Sequence, residues 1–261
     1  MMKQKSKQVQ SRNRNFAGVP IFSRSMIRWC VCYIRSLRIR ITEFQDLDDL
    51  IKRHYQTWSE ENHMSRPGLE IALHHAINSK QIIETGTSAW GCDSSRLFDS
   101  FARFVNANFV SVDIRSAASE WLKFQVTKNT QFYVGDSVYF LQSVYPEHFD
   151  TTIDLAYLDS FDLDLSNPLP SELHGLEEFR SVLKYSKTGT IIVIDDTRCS
   201  VNEFPPEHRE LVETYVRNNG RIPGKGSLIL QRINGNRDFE VLWHSENLVV
   251  RVNSDNSLET F

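Results

Sequence analysis

Gln81-Ile82-Ile83-Glu84-Thr85-Gly86-Thr87-Ser88-Ala89-Trp90-Gly91 is the stretch on which the fold turns. A short apolar run ends on an acid, and a glycine that admits a tight turn follows. Upstream the periodicity is helical. Asp46 to Trp58 puts Leu47, Leu50, Ile51, His54 and Tyr55 on one face, and Ser65-Arg66-Pro67 opens a second helix with Leu69, Ala72, Leu73, Ala76 and Ile77 in register. Downstream the same strand-then-helix unit recurs. Strands are predicted at Phe109–Asp113, Gln131–Val134, Ile153–Leu158 and Thr190–Ile194. Helices are predicted at Ser94–Val105, Ser119–Val126, Ser137–Tyr145, Ser171–Tyr185 and Glu207–Asn218. Continuous apolar strands separated by helices imply a parallel sheet covered on both faces.

The ending breaks the rule. After a short helix at Lys225–Ile233, the strands Phe239–Trp243 and Leu248–Val252 are too close for a parallel crossover and must form an antiparallel hairpin. The expected architecture is α/β, Rossmann-like and doubly wound: a mostly parallel seven-stranded sheet with a C-terminal antiparallel hairpin. The expected organisation is a basic, flexible extension over 1–42, a helical lead-in over 43–80, a catalytic domain over 81–252 and a tail over 253–261.

The 261 residues, with 40% apolar and 24% charged side chains, have ordinary globular usage, which argues against a disordered or collagen-like chain. No run approaches the ~18 apolar residues of a membrane helix. Four cysteines are too few for a disulfide scaffold, so a reducing, cytoplasmic setting is expected. Cys30 and Cys32 are spaced too tightly for a zinc pair, and Cys92 and Cys199 are read as structural. The net charge of -3 hides a split. Residues 1–42 hold ten cations and no acid; of the 30 cations, 20 remain against 33 acids in the rest. An acidic body with a basic arm is not expected to bind nucleic acid. The arm suits either peripheral contact with an anionic membrane or, more plainly, a leader whose apolar residues dock on the domain. It does not read as a secretory signal, because the apolar run Trp29–Ile34 is short and no small-residue cleavage site follows.

In an open parallel sheet, ligands sit beyond the carboxyl ends of the strands. Those ends carry Glu84, Asp113, Asp136, Asp159 and the pair Asp195-Asp196. Six acids on one rim would repel one another unless they bind hydroxyls, amines or a metal. Gly86, Thr87, Ser88 and Gly91 offer backbone N–H groups for a carboxylate, and Glu84 can accept from an amine. Asp113 lies where a carboxylate meets ribose hydroxyls. Gly135-Asp136-Ser137 can receive an adenine amino group. The plain alternative is that the glycines only make a turn and the acids only cap helices.

A ligand with carboxylate, amine, ribose and adenine is S-adenosylmethionine. The glycine loop, the acid after strand two, the Gly-Asp-Ser after strand three and the closing hairpin together resemble the class I S-adenosylmethionine-dependent methyltransferases over about residues 68–252. Leu158-Asp159-Ser160-Phe161-Asp162 with Ile194-Asp195-Asp196-Thr197 is similar to the metal-dependent O-methyltransferases and to cephalosporin-hydroxylase-like proteins. That resemblance implies a divalent cation, Mg²⁺ first, on Asp159, Asp195 and Asp196. If the fourth and fifth strands are neighbours, their ends lie ~4.8 Å apart, and three carboxylates that close favour a hard ion. It also implies methylation of a hydroxyl on a small molecule or sugar. For the general base, Asp162 comes first, three residues past Asp159, and His174 second, since its pKa suits the task; the plain alternatives are a solvated loop and a helix-surface histidine. Gly224-Lys225-Gly226 lacks the strand and upstream glycine of a phosphate loop; it reads as a turn, with contact to an anionic substrate as the alternative. Trp90 is read as either a cofactor cover or core. Two rivals are a non-catalytic Rossmann-like module docking through its basic arm, and a nicotinamide-dependent oxidoreductase. The second is disfavoured because position 88 is Ser where that motif needs glycine.

Overall fold

A computed structural model describes residues 43–88 and 92–261. The readings made on residues 1–42, and on Trp90 and Gly91 of the first loop, lie outside the described residues. Seven strands form one sheet: β1 (Gln81–Thr85), β2 (Asn108–Asp113), β3 (Thr130–Val134), β4 (Leu155–Leu158), β5 (Ile191–Ile194), β6 (Phe239–His244) and β7 (Leu248–Val252). Their order is β3-β2-β1-β4-β5-β7-β6. The first five are parallel, while β7 runs antiparallel to both β5 and β6. This is the doubly wound sheet with a closing hairpin that the sequence implied.

The central strands are buried on both faces, as their unbroken apolar runs require. Alternate residues serve opposite cores. Ile82, Leu155, Tyr157, Ile191 and Val193 pack with α1 (Leu47–Thr57), α2 (Arg66–His75) and α3 (Ser94–Val105). Ile83, Ala156, Leu158, Ile192 and Ile194 pack with α7 (Leu169–Leu183) and α9 (Ser227–Ile233). The remaining helices are α4 (Ser116–Leu122), α5 (Ser137–Tyr139), α6 (Tyr145–His148), α8 (Arg209–Asn219) and α10 (Ser257–Thr260).

Three details go beyond the periodicity. In the lead-in of 43–80, Leu50, Ile51, Leu69 and Leu73 share one core with the sheet, which periodicity alone does not show. The helix expected over Ser137–Tyr145 is broken by a π turn at Phe140–Val144. The tail folds back, setting Phe261 against Phe179 and Phe239. No helix among the described residues is long and apolar enough to cross a membrane.

Strand order reverses between β1 and β4, so the first loop and the loop after β4 meet at the switch point where open sheets bind ligands. Gly86 marks the meeting. Its φ is +85°, and a Cβ there would collide with the backbone carbonyl of Asp159. The close approach it permits is to the chain itself.

Candidate functional site

Below that turn Glu84 is fully buried and acts as a hub. Its Oε1 accepts from Ser94 Oγ at 2.5 Å, and its Oε2 accepts from Ser95 and Ser111 Oγ, each at 2.5 Å. Burial pushes the Glu84 carboxyl up to about 8, against the pull of the three hydroxyls. Thr87 Oγ1 meets Ser111 Oγ at 2.7 Å, and Ser88 N donates to Ser95 Oγ at 2.9 Å. Glu84 therefore anchors the first loop to β2 and α3. Both Glu84 oxygens serve the chain itself, Oε1 with one donor and Oε2 with two.

Asp113, at the end of β2, accepts from Arg115 N at 2.7 Å and from its guanidinium at 3.1 Å on each oxygen. A ribose would have to displace the Arg115 side chain, which is exposed. Asp136 takes the plainer of its two expected roles: its Oδ1 caps α5 by accepting from Tyr139 N at 2.7 Å. Ser137 Oγ lies 3.1 Å from both Ser160 Oγ and His174 Nε2.

The expected carboxylate triad is assembled. β4 and β5 are neighbours in register, Leu158 opposite Ile194, so Asp159 and Asp195 leave adjacent strand ends. Asp159, Asp195 and Asp196 each offer an oxygen within 4.8 Å of the others. Burial pushes Asp159 up to about 6, with Asp196 adding repulsion and Lys225 opposing it. Asp195 is raised further by burial and by its two acidic neighbours. Asn247 Nδ2 donates to Asp195 Oδ1 at 2.7 Å.

Lys225 corrects the reading of Gly224-Lys225-Gly226 as a simple turn. Its side chain is only 4% exposed. The ammonium pairs with Asp159 and lies 3.2 Å from Asp196 Oδ2. Arg198 flanks the cluster, 3.9 Å from Asp196 and paired with Glu246 at 2.7 Å. It also lines a cavity of about 300 Å³ with Arg221, Ile222, Ser227, Gln231 and His244.

His174 projects from α7 into a second polar knot rather than lying on an open helix face. Ser160 Oγ donates to Glu178 Oε1 at 2.7 Å and sits 2.8 Å from His174 Nε2. The hydroxyl's proton being committed to Glu178, its oxygen accepts from His174, which places a hydrogen on Nε2. Burial lowers the imidazole's affinity for a proton, but the Glu178 hydrogen bond and charge outweigh it and hold the group above its ordinary value. Glu178 is held below the usual carboxylate range: burial raises it, and His174 and the serines more than offset that. Asp162, expected as the first base, is exposed in the loop after β4 and outside the acid cluster.

The pair's effect on stability follows from these directions. The His174 share is complete below its unfolded value of 6.5 and is lost as pH rises through the raised folded value. The Glu178 share is complete above 4.5 and is lost as pH falls through the lowered one. His174→Gln is therefore expected to lower the melting temperature more at pH 6 than at pH 8.5. The difference should be about 2–4 °C, the shift that ~1 kcal/mol makes in a domain of this size. Thermal melts of both proteins check this, and a pH-independent difference would contradict it.

Four participants escaped the sequence reading: Lys225, Asn247, Ser160 and Glu178. Glu178 alone carried a local signal, lying four residues after His174 on one helix face.

No family model matches the chain, and no curated protein matches it. Solved structures do. MycE methyltransferase from the mycinamycin biosynthetic pathway, in complex with Mg and SAH, is 15% identical with a TM-score of 0.49. That match covers 82% of this chain and 55% of MycE, so the chain spans about half of that protein's length. An O-methyltransferase from Bacillus cereus in complex with SAH is 13% identical, TM-score 0.46, over 88% of this chain and all of that one. CalS11, a TDP-rhamnose 3′-O-methyltransferase in calicheamicin biosynthesis, is 16% identical, TM-score 0.46, over 85% and 93%. At these identities the likeness concerns the fold, which the order of the strands already gives.

Proposed function

We propose that the chain is an S-adenosylmethionine-dependent methyltransferase that methylates a hydroxyl on a small molecule or sugar with the help of a divalent ion. The observation that carries this reading is the gathering of Asp159, Asp195 and Asp196 at the switch point, against the Gly86 turn that ends β1. The donor set is all oxygen, which suits a hard ion. Three carboxylates carry more negative charge than one ammonium offsets, and a divalent ion offsets more of it. The residues therefore fit such an ion, and Asp159, Asp195 and Asp196 would hold it.

When bound, the sulfonium cofactor supplies an electrophilic methyl group, and the ion lowers the pKa of the acceptor hydroxyl. The chain supplies orientation and electrostatics. The Glu84 hub and its serines tie Thr87 and Ser88 to β2 and α3; Asp113 presents a carboxylate toward ribose hydroxyls once Arg115 yields it. His174 is the base that remains near the cluster. Its Nε2 is turned inward to Ser160, so a proton from the acceptor is taken at Nδ1 while Glu178 stabilises the imidazolium.

Calorimetric titration of the full chain with S-adenosylmethionine and S-adenosylhomocysteine tests the reading. Saturable binding of both is expected. A folded sample that binds neither overturns the methyltransferase assignment.

A further inference from the structure

We propose that Lys225 is a resident cation, and that its ammonium and a divalent ion are alternative occupants of one position among Asp159, Asp195 and Asp196. The inference rests on the ion reading above and needs neither methyl donor nor acceptor.

Three close packings fix the lysine's backbone. A Cβ on Gly224 would lie 2.5 Å from the Asp196 carbonyl oxygen, and one on Gly226 would lie 2.7 Å from the Thr197 side chain. On the far side, a Cβ on Gly175 of α7 would lie 2.6 Å from the Lys225 carbonyl oxygen. Two hydrogen bonds join the same segments: Lys225 N donates to Asp196 O at 3.2 Å, and Gly226 N donates to Thr197 Oγ1 at 2.9 Å. Three glycines let the Gly-Lys-Gly turn be pressed between α7 and the loop after β5. The acid loop thus carries its own cation, delivered from 66 residues beyond Asp159.

That cation uses the oxygens an ion would need. The ammonium touches Asp159 Oδ1 and Asp196 Oδ2. A divalent ion bound by both acids would face a positive charge within contact distance, so one cation must leave. Lysine is suited to do so: its charge is a compact point on a flexible four-carbon stem, so the head can withdraw while the anchored backbone stays. Without an ion, Lys225 keeps the acids together. With one, its ammonium is released.

Manganese binding is the test, read by electron paramagnetic resonance on full-length wild type, Lys225→Met and Lys225→Arg without cofactor. Neighbouring charges move ionic equilibria by ~1–3 powers of ten, so Lys225→Met is expected to bind Mn²⁺ about tenfold or more tightly than wild type. Lys225→Arg should stay near wild type. The methionine variant should also melt lower than wild type in EDTA and recover on adding Mn²⁺. A measurement on wild type alone guards against misfolded variants: acetic anhydride labelling of Lys225, read by peptide mass spectrometry, should rise when Mn²⁺ is added. Unchanged labelling in a sample that binds Mn²⁺, or a methionine variant that binds Mn²⁺ no more tightly than wild type, overturns the proposal and leaves the ion reading standing. No Mn²⁺ binding by any of the three proteins overturns both.

Discussion

Gly86→Ala is expected to destabilise the protein by about 3 kcal/mol, because it combines two costs that usually occur separately. The backbone at Gly86 has φ +85°, where an L side chain is strained, and such strain costs of order 1–3 kcal/mol. The new methyl would also run into the Asp159 carbonyl. That atom belongs to a strand end whose register is set by β1 and β5, so it cannot retreat without disturbing the ladder. Gly189→Ala isolates the first cost: its φ is +93°, but a Cβ there meets nothing within 4 Å. Thermal melts should therefore place Gly86→Ala below Gly189→Ala. A loss of ~3 kcal/mol corresponds to roughly 6–12 °C in a domain of this size. Equal losses in the two variants would mean that the contact between the first loop and Asp159 carries no weight. Because Asp159 must move, the Gly86 variant should also lose divalent-ion binding, and the Gly189 variant should keep it.

Asp195→Asn is expected to reduce methyl transfer at least ~100-fold, of the order lost when a metal site's electrostatic contribution is removed, while leaving the ion-free fold as stable as wild type or more so. The two halves have one cause. Asp195 is partly buried beside Asp159 and Asp196, and both surroundings penalise its charge. A carboxyl raised in this way stabilises the fold at low pH, and that contribution fades as pH rises through its folded value. Asparagine removes the repulsion and keeps the shape. Melts in EDTA at pH 8 should therefore show no loss for the variant, while turnover in Mg²⁺ collapses. A variant that melts well below wild type in EDTA would show that Asp195 stabilises the fold rather than an ion. Full turnover in the variant, or in wild type treated with chelator, would remove the ion from the mechanism.

Much of this was legible in the residues themselves. The five parallel strands and the closing hairpin follow from local signals: period, apolar runs and the few residues between β6 and β7. The acids at the strand ends follow as well, since a parallel strand brings its last residue to the same rim as its neighbours. What local signals did not show is which partners these residues meet within the chain. Asp136 and Asp113 looked alike as ligand acids, yet one caps α5 and the other pairs with Arg115. Ser137 looked like a cofactor contact, but α7 brings His174 to it. Asp162 stood three residues from Asp159 and still fell outside the cluster, because the chain leaves the sheet edge there for an exposed loop.

The order of apolar and polar residues alone determined that this chain builds a doubly wound sheet and that Asp159, Asp195 and Asp196 stand at strand ends; the pairing of β4 with β5 then made those ends adjacent. Side-chain alternation and strand length are properties of a few consecutive residues, and water enforces them locally. Tertiary packing decided what each acid does: that Glu84 serves three serines, that Asn247 meets Asp195 across 52 residues, and that Lys225 enters the acid cluster. Those outcomes depend on burial, which strips charged groups of water and makes them take whatever opposite partner the fold brings within reach.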